Sequence, residues 1–434
     1  MCHTLRGTLI AAALLGVAAA PAGAPAKGDD ALAARAKKLH SQSIVVDTHD
    51  DVPYALLDKP ADIGKKGATD HWDIPRAREG GVTAPFFAVY VPATFAETGG
   101  AARETLALID LVQRTIAAHP KDLVPAASVA EIRRAKADGK IAVLMGIEGG
   151  HAIEDSLGAL REFHRLGVRY MTLTHVNSNH WADATGPFSM PDFDPAAARL
   201  HGGLTDFGRQ VVREMNRVGM MVDISHVSDD TIRDVLQTSR APVFASHSSC
   251  RALCDIPRNL TDDQIRTIAG KGGVVMINIG SYFLDPESVA AYKKALETVR
   301  PEYDRIKKEM AQDPAARDAA IGKLLEPLER KRTVWTKAVD HIEHVMKVGG
   351  PGAVGLGTDF DGIHDPPQGL DDVSMLPRLT EEMLRRGHSD EEVRGVLGEN
   401  FLRFFAKVEE TAKSLAAEPP SEAVYTPPPR GAAH

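Results

Sequence analysis

Ile44-Val45-Val46-Asp47-Thr48-His49-Asp50-Asp51 sets a short apolar run directly against a knot of acidic and imidazole side chains. A β-branched run of this length reads as a buried strand. Its polar end reads as the place where a strand delivers chemistry. His49 and Asp51 stand two residues apart, so extended chain projects them to one side. Seven further runs of the same kind follow: 83–91, 141–147, 170–174, 220–224, 242–246, 273–279 and 353–357. Segments with helical period separate them, among them 157–166, 205–218, 229–238 and 261–270. Near-continuous apolar strands alternating with amphipathic helices predict a parallel sheet buried on both faces. Eight of them predict an α/β fold of the (β/α)8 TIM-barrel type. Thr261 and Gln264 have capping-box spacing at one helix start.

The polar ends recur. The third run ends in Gly146-Ile147-Glu148-Gly149-Gly150-His151 and the fourth in Thr174-His175. The fifth ends in Ser225-His226, the sixth in Ser246-His247 and the eighth in Gly357-Thr358-Asp359-Phe360-Asp361-Gly362. In such a barrel these ends meet at one mouth, where barrel chemistry sits. Carboxylates and imidazoles gathered there without cations would be costly to desolvate and would repel one another. Divalent metals remove that cost, and His with Asp/Glu ligands describes a catalytic zinc site. A bridging carboxylate between two ions lets a shared hydroxide act as nucleophile at neutral pH. Taken singly, each residue has a plainer reading: a core histidine, or for Asp361 a helix cap. His151 reads as a capping or orienting group.

Motifs spread along the chain resemble the membrane (renal) dipeptidase family of zinc peptidases. They are VVDTHDDVP at 45–53, GIEGGHAI at 146–153, LTHVNSNHWAD at 173–183, VDISHVS at 222–228, ASHSSCRALCDIPRN at 245–259 and GLGTDFDG at 355–362. GENFLRFF at 398–405 resembles the family's closing helix. The resemblance covers about residues 40–410 and implies a metallo-dipeptidase with two Zn2+ per subunit. It implies that His49 and Asp51 bind one zinc, that Glu148 bridges both, and that His226 and His247 bind the second. It further implies that His175 stabilises the oxyanion, that Arg258 pairs with the substrate's terminal carboxylate, and that Asp359 moves the proton from the attacking water to the leaving amine. Dipeptides, including those with a C-terminal D-residue, are the implied substrates, and a homodimer is a family expectation only. Another metal-dependent amidohydrolase (lactonase, deaminase or phosphotriesterase type) is the alternative. Those barrels usually open on His-x-His and often bridge metals with a carboxylated lysine. A non-catalytic exported metal-binding barrel is the third reading.

The remaining features set bounds. With 43% hydrophobic and 25% charged residues in 434, the chain is an ordinary globule. A net charge of -8 without a basic stripe speaks against nucleic acid and anionic membrane as partners. Arg6, the apolar run Leu9–Ala20 and Ala24-Pro25-Ala26 predict a cleaved signal peptide over 1–26, hence an exported, periplasmic or secreted enzyme. No second apolar run predicts a membrane anchor. The barrel domain is expected over 27–417. It includes a charged helical insertion at 287–347 between the seventh and eighth strands, on the active-site face. A Pro-rich tail at 418–434 is expected to be disordered or extended. Cys250 and Cys254 are expected as free thiols rather than zinc ligands. The resemblance matches Cys254 to a family half-cystine whose usual partner position is not Cys here.

Overall fold

The computed structural model describes residues 27–427. The leader expected over 1–26 lies outside the described residues, as do the last seven positions. All eight expected strands form: β1 (Val46–Asp50), β2 (Ala84–Tyr90), β4 (Ile141–Glu148), β5 (Val168–Thr172), β6 (Met221–Asp223), β7 (Phe244–Ala245), β8 (Val274–Ile277) and β9 (Val354–Leu356). Every neighbouring pair is parallel, and β2 pairs with both β1 and β4, so the sheet closes on itself. The three-residue β3 (Leu123–Pro125) was not expected from the sequence; it pairs with the start of β4 outside the closed ring.

Alternation along the strands sorts the side chains into two cores. Val46, Ala84, Phe86, Ala142, Leu144, Tyr170, Met221, Phe244, Val274 and Met276 fill the barrel interior. Phe401, Phe404 and Phe405 of the closing helix Asn400–Leu415 plug its floor. Neighbours of opposite parity, such as Val45, Phe87, Val143, Ile147, Val222 and Val275, pack outward against the ring of helices. The capping box forms, with Thr261 N–H donating to Gln264 Oε1 at 2.8 Å and Gln264 N–H to Thr261 Oγ1 at 3.3 Å.

Two helices, Pro286–Glu309 and Pro314–Leu325, precede the barrel's own helix Thr336–Gly349 between β8 and β9. The pair sits on a separate apolar cluster of Cys254, Ile256, Tyr282, Val289, Tyr292, Leu296 and Leu325. It reaches the loop after β2, where Thr94 Oγ1 donates to Asp318 at 2.7 Å and Arg317 pairs with Glu97 at 3.0 Å. It also reaches the long loop after β5: Tyr303 OH donates to Asp192 at 2.6 Å, and Lys307 pairs with the same carboxylate. The insertion is therefore pinned to loops on two sides of the mouth.

The described part of the tail takes the extended form of the two expected for it. From Glu418 to Pro427 the chain is extended and anchored rather than disordered. Ser421 N–H donates to the buried Glu214 at 3.2 Å, and Tyr425 stacks on His180 with centroids 5.1 Å apart. Tyr425 also meets Phe207 edge-on. Its ring and a carboxylate needing a donor anchor the Pro-rich chain in the extended form.

Candidate active site

The strand ends converge. The pairing of β1 with β2 shifts register between Asp47 and Asp50. Such an irregularity inverts the alternation, so Val46 faces the barrel interior and His49 and Asp51, at odd offset from it, also reach the mouth. Glu148 follows Ala142 and Leu144 as an inward position of β4. Its Oε1 lies 3.0 Å from His226 Nε2, 3.3 Å from His247 Nε2 and 3.6 Å from His49 Nε2. Asp51 Oδ2 is 3.4 Å from His49 Nε2. His226 Nε2 and His247 Nε2 are 2.9 Å apart.

Three overlapping groups could each hold an ion: His49–Glu148–His247, Glu148–His175–His226 and His49–Asp51–Asp359. The grouping differs in detail from the expected ligand sets, since His247 falls with His49 and His175 with His226. Glu148 is shared as expected. All seven residues meet, and Arg258 stands beside them.

The surrounding bonds leave lone pairs facing inward. Tyr170 OH donates to Thr48 O at 3.1 Å, so it accepts from His49 Nδ1 at 2.7 Å. The neutral tautomer of His49 has its lone pair on Nε2, which is buried without a hydrogen-bond partner; burial disfavours the charged ring, but Tyr170, Glu148 and Asp51 raise its pKa well above the usual range, so a metal on Nε2 would take the place of a proton. Ser246 Oγ donates to Asp223 Oδ2 at 2.6 Å and accepts from His247 Nδ1 at 2.7 Å, which leaves His247 Nε2 a lone pair too. Fixing a ligand's far nitrogen in this way sets its tautomer. Burial, with Arg258 and His175 for one and His49 for the other, holds His226 and His247 well below the usual imidazole range. Burial alone would raise the Glu148 carboxyl, but His49, His175 and the close His226 and His247 rings hold it well below its ordinary value. Imidazole nitrogens turned toward an ionised carboxylate are a donor set that fits zinc.

Space is kept for these groups. A Cβ on Gly146 would fall inside the Tyr170 ring, and one on Gly362 would strike Asp51 Oδ2 and Asp359 Oδ1. His226 (φ 68°) and Asp359 (φ 64°) adopt left-handed backbone that non-glycine residues rarely take. Strain of this kind persists only where the surroundings enforce it. Asp359 accepts from Asn278 Nδ2 at 2.8 Å. Burial, partly offset by His49 and reinforced by Asp51 and Glu148, raises its carboxyl well above the ordinary range.

Arg258 is buried. It donates to Ser248 Oγ at 3.1 Å and His247 O at 3.2 Å, and its guanidinium faces the Phe283 ring at 5.3 Å. Its Nε has no partner, and burial lowers its pKa to about 10 against the pull of Asp359 and Glu148. It remains a cation at neutral pH, and no carboxylate pairs with it among the described residues. His175 has an unpartnered, buried Nδ1.

Sequence reasoning missed the groups behind this layer: Tyr170, Asp223, Ser248 and Asn278. Asp223 and Ser248 lay inside quoted motifs, three residues before His226 and one after His247; Tyr170 and Asn278 carried no local signal. His151 Nε2 bonds Val91 O at 3.1 Å, the orienting role read for it. Asp361 caps no helix; it accepts from Thr69 Oγ1 at 2.7 Å and His71 N–H at 2.8 Å. Asp50 is buried with both oxygens unpartnered, and burial with Asp47 and Asp361 pushes its carboxyl well up. Cys250 and Cys254 are free, buried thiols.

The model of the membrane dipeptidase family (peptidase family M19) matches residues 33–419. The chain belongs to the membrane dipeptidase family. It is 35% identical to dipeptidase 3 of Rattus norvegicus over 387 residues, covering 88% of this chain and 68% of that protein. The crystal structure of the probable dipeptidase PvdM from Pseudomonas aeruginosa superposes with a TM-score of 0.75 at 26% identity, over 88% of this chain and all of that one. A metallopeptidase from Rhodobacter sphaeroides, liganded with a phosphinate mimic of L-Ala-D-Ala, superposes with a TM-score of 0.68 at 28% identity, over 85% of this chain and all of that one. Family membership makes this chain a metallo-dipeptidase, and its metal-competent residues lie together at the barrel mouth. Among the described residues no helix is long and apolar enough to cross a membrane.

Proposed function

We propose that this enzyme hydrolyses the single amide bond of dipeptides at a two-zinc centre, with His49, Asp51 and Glu148 holding one ion and Glu148, His226 and His247 the other. The observation that carries the reading is the convergence of three imidazole nitrogens on one Glu148 oxygen. Zinc bound there would lower the pKa of water and polarise a carbonyl oxygen.

The chain's own residues account for the rest. His175 offers a ring nitrogen to the oxygen on which charge develops, already in place before the reaction begins. Asp359, a half-buried carboxyl with raised proton affinity, takes the water's proton and delivers it to the departing amine. Arg258 supplies a buried cation for the substrate's terminal carboxylate, and such a planar donor grips a carboxylate with two bonds. A fixed span between Arg258 and the amide limits substrates to two residues. We extend the proposal to dipeptides with a C-terminal D-residue, supported by the L-Ala-D-Ala mimic bound to the Rhodobacter relative. We also propose export, on the leader read at 1–26.

The test compares free and C-terminally amidated dipeptides, in L,L and L,D series, with zinc-loaded wild-type enzyme and Arg258→Ala. Amidation and the substitution are each expected to reduce kcat/KM at least about 100-fold, the scale of a lost buried charge pair. Turnover indifferent to the free carboxylate contradicts the reading. The first pair, His49-x-Asp51, and the carboxylate Glu148 at the shared position argue against the other amidohydrolase types; activity confined to lactones or phosphotriesters would restore them.

A further inference from the structure

Arg258 is a buried cation, and the groups that hold it decide where a substrate carboxylate can sit. Ser249 N–H donates to Asn259 Oδ1 at 3.1 Å, and Cys250 bridges to Leu260. The loop leaving β7 therefore closes on itself and returns Arg258 to the residues just past the strand. There Nη1 donates to Ser248 Oγ at 3.1 Å and Nη2 to His247 O at 3.2 Å, while Phe283 faces the guanidinium at 5.3 Å. Two tethers and a ring fix the plane of the group and leave Nε as its unpartnered edge. A buried charge is costly unless it is hydrogen-bonded, so the acceptor at each tether matters.

The first tether continues past Ser248. Its Oγ accepts from the guanidinium, and its own proton is free for Ser225 Oγ, 3.3 Å away, the one acceptor it has among the described residues. Ser225 Oγ also accepts from His247 N–H at 3.0 Å and lies 3.5 Å from Ser246 Oγ. Ser246 Oγ donates to Asp223 Oδ2 at 2.6 Å and accepts from His247 Nδ1 at 2.7 Å. Asp223 anchors the far end. Its Oδ1 accepts from Ser225 N–H at 3.0 Å and Ser246 N–H at 2.8 Å, and its Oδ2 also accepts from Thr172 Oγ1 at 2.5 Å. Asp223, Ser225, Ser246 and Ser248 are all buried. A satisfied polar network of this kind is rigid, and its members strengthen one another. It joins the cation to the carboxylate behind His247, and His247 meets it three times, through Nδ1, its backbone N–H and its carbonyl oxygen.

We propose that Ser248 and Ser225 are positioning residues for carboxylate recognition: they hold the open edge of Arg258 at a set place relative to His247. One network then fixes both the anchor for the substrate's carboxylate and the metal-competent ring beside its amide, and the limit to two residues is set by the hydroxyls after β6 and β7. Ser248 serves the Arg258 end. Ser225 stands at the junction, because it also receives the His247 backbone N–H. The inference rests on the Arg258 role proposed above.

The experiment measures kcat and KM for a dipeptide with a free C-terminus and for its amide, using zinc-loaded wild type, Ser248→Ala and Ser225→Ala. The same three proteins are titrated with zinc against a chelator. Wild type is expected to prefer the free dipeptide. Ser248→Ala lowers kcat/KM for it about tenfold, the scale of one hydrogen bond to a charged group, chiefly through KM. The amide is turned over as by wild type, and zinc affinity is kept. Ser225→Ala lowers the free-to-amidated ratio by less and weakens zinc binding. A wild-type ratio retained in Ser248→Ala overturns this inference alone. So does an equal loss on both substrates, which marks a merely structural change, or zinc affinity lost equally in both variants. A wild type indifferent to the free carboxylate overturns it together with the Arg258 role beneath it.

Discussion

The floor and the mouth of this barrel are built on the same strands, two or three residues apart, and follow opposite rules. On the floor, Phe86, Phe244, Phe401 and Phe404 pack ring against ring with centroids 5.1–6.1 Å apart. One turn of the pleat higher, Glu148, Asp223 and Ser246 are also turned inward, and nearly every group there is buried, polar and bonded to another strand. The floor is stabilising burial. The mouth gathers charges, left-handed residues and unpartnered nitrogens that cost free energy. A closed sheet with a plugged floor can hold such a layer because the strands cannot splay to relieve it.

The contrast predicts that mouth variants lose chemistry and keep the fold, while floor variants do the reverse. Glu148→Gln should lower kcat/KM by about 1,000-fold or more, as expected when a metal ligand that fixes the active site is lost; thermal unfolding of the metal-free protein should change little. Activity within tenfold of wild type breaks the comparison on the mouth side. Phe401→Ala should cost about 3–5 kcal/mol of stability, the range for a large aromatic removed from a core. Zinc bound per folded chain should stay unchanged, which denaturant titration with metal analysis would check.

A third test falls on the flank, where neither rule dominates. His341 accepts from Cys250 N–H at 3.0 Å and donates to Leu284 O at 3.1 Å, and burial lowers its pKa to about 4. Its folded state binds the proton more weakly than the unfolded chain. The stability it contributes is therefore full above pH 6.5 and lost as pH falls toward 4, by up to about 3 kcal/mol. Denaturant midpoints measured from pH 7 to 4 should fall, and His341→Gln should flatten the slope. The smallest effect belongs to the support behind the site. Ser246→Ala removes the acceptor of His247 Nδ1 and should weaken zinc binding about 10–100-fold, read by competition with a chelator, with the fold intact.

The sequence displayed the two layers unequally. All eight barrel strands could be read, because each is an apolar run bounded by polar residues, and burial on both faces makes such runs continuous. The seven metal-competent positions could be read for the same reason, each lying within three residues of a strand's C-terminal end. β3 could not: three residues ending in Pro125, paired only at the foot of β4, leave no pattern. The register shift that turns His49 and Asp51 inward arises between two strands and has no local signature. Tyr170 reads as one more core aromatic until Gly146 is seen to clear room for its ring and its hydroxyl is found on His49. The tail's composition left disorder and extension both open, because composition reports average solvation, whereas Tyr425 and Ser421 meet specific partners.

The most direct measurement is anomalous diffraction at the zinc edge from crystals of the zinc-loaded protein. Two peaks flanking the Glu148 carboxylate, one toward His49 and Asp51 and the other toward His226 and His247, are the predicted result. A zinc-saturated crystal with no peak within bonding distance of Glu148 would contradict the account.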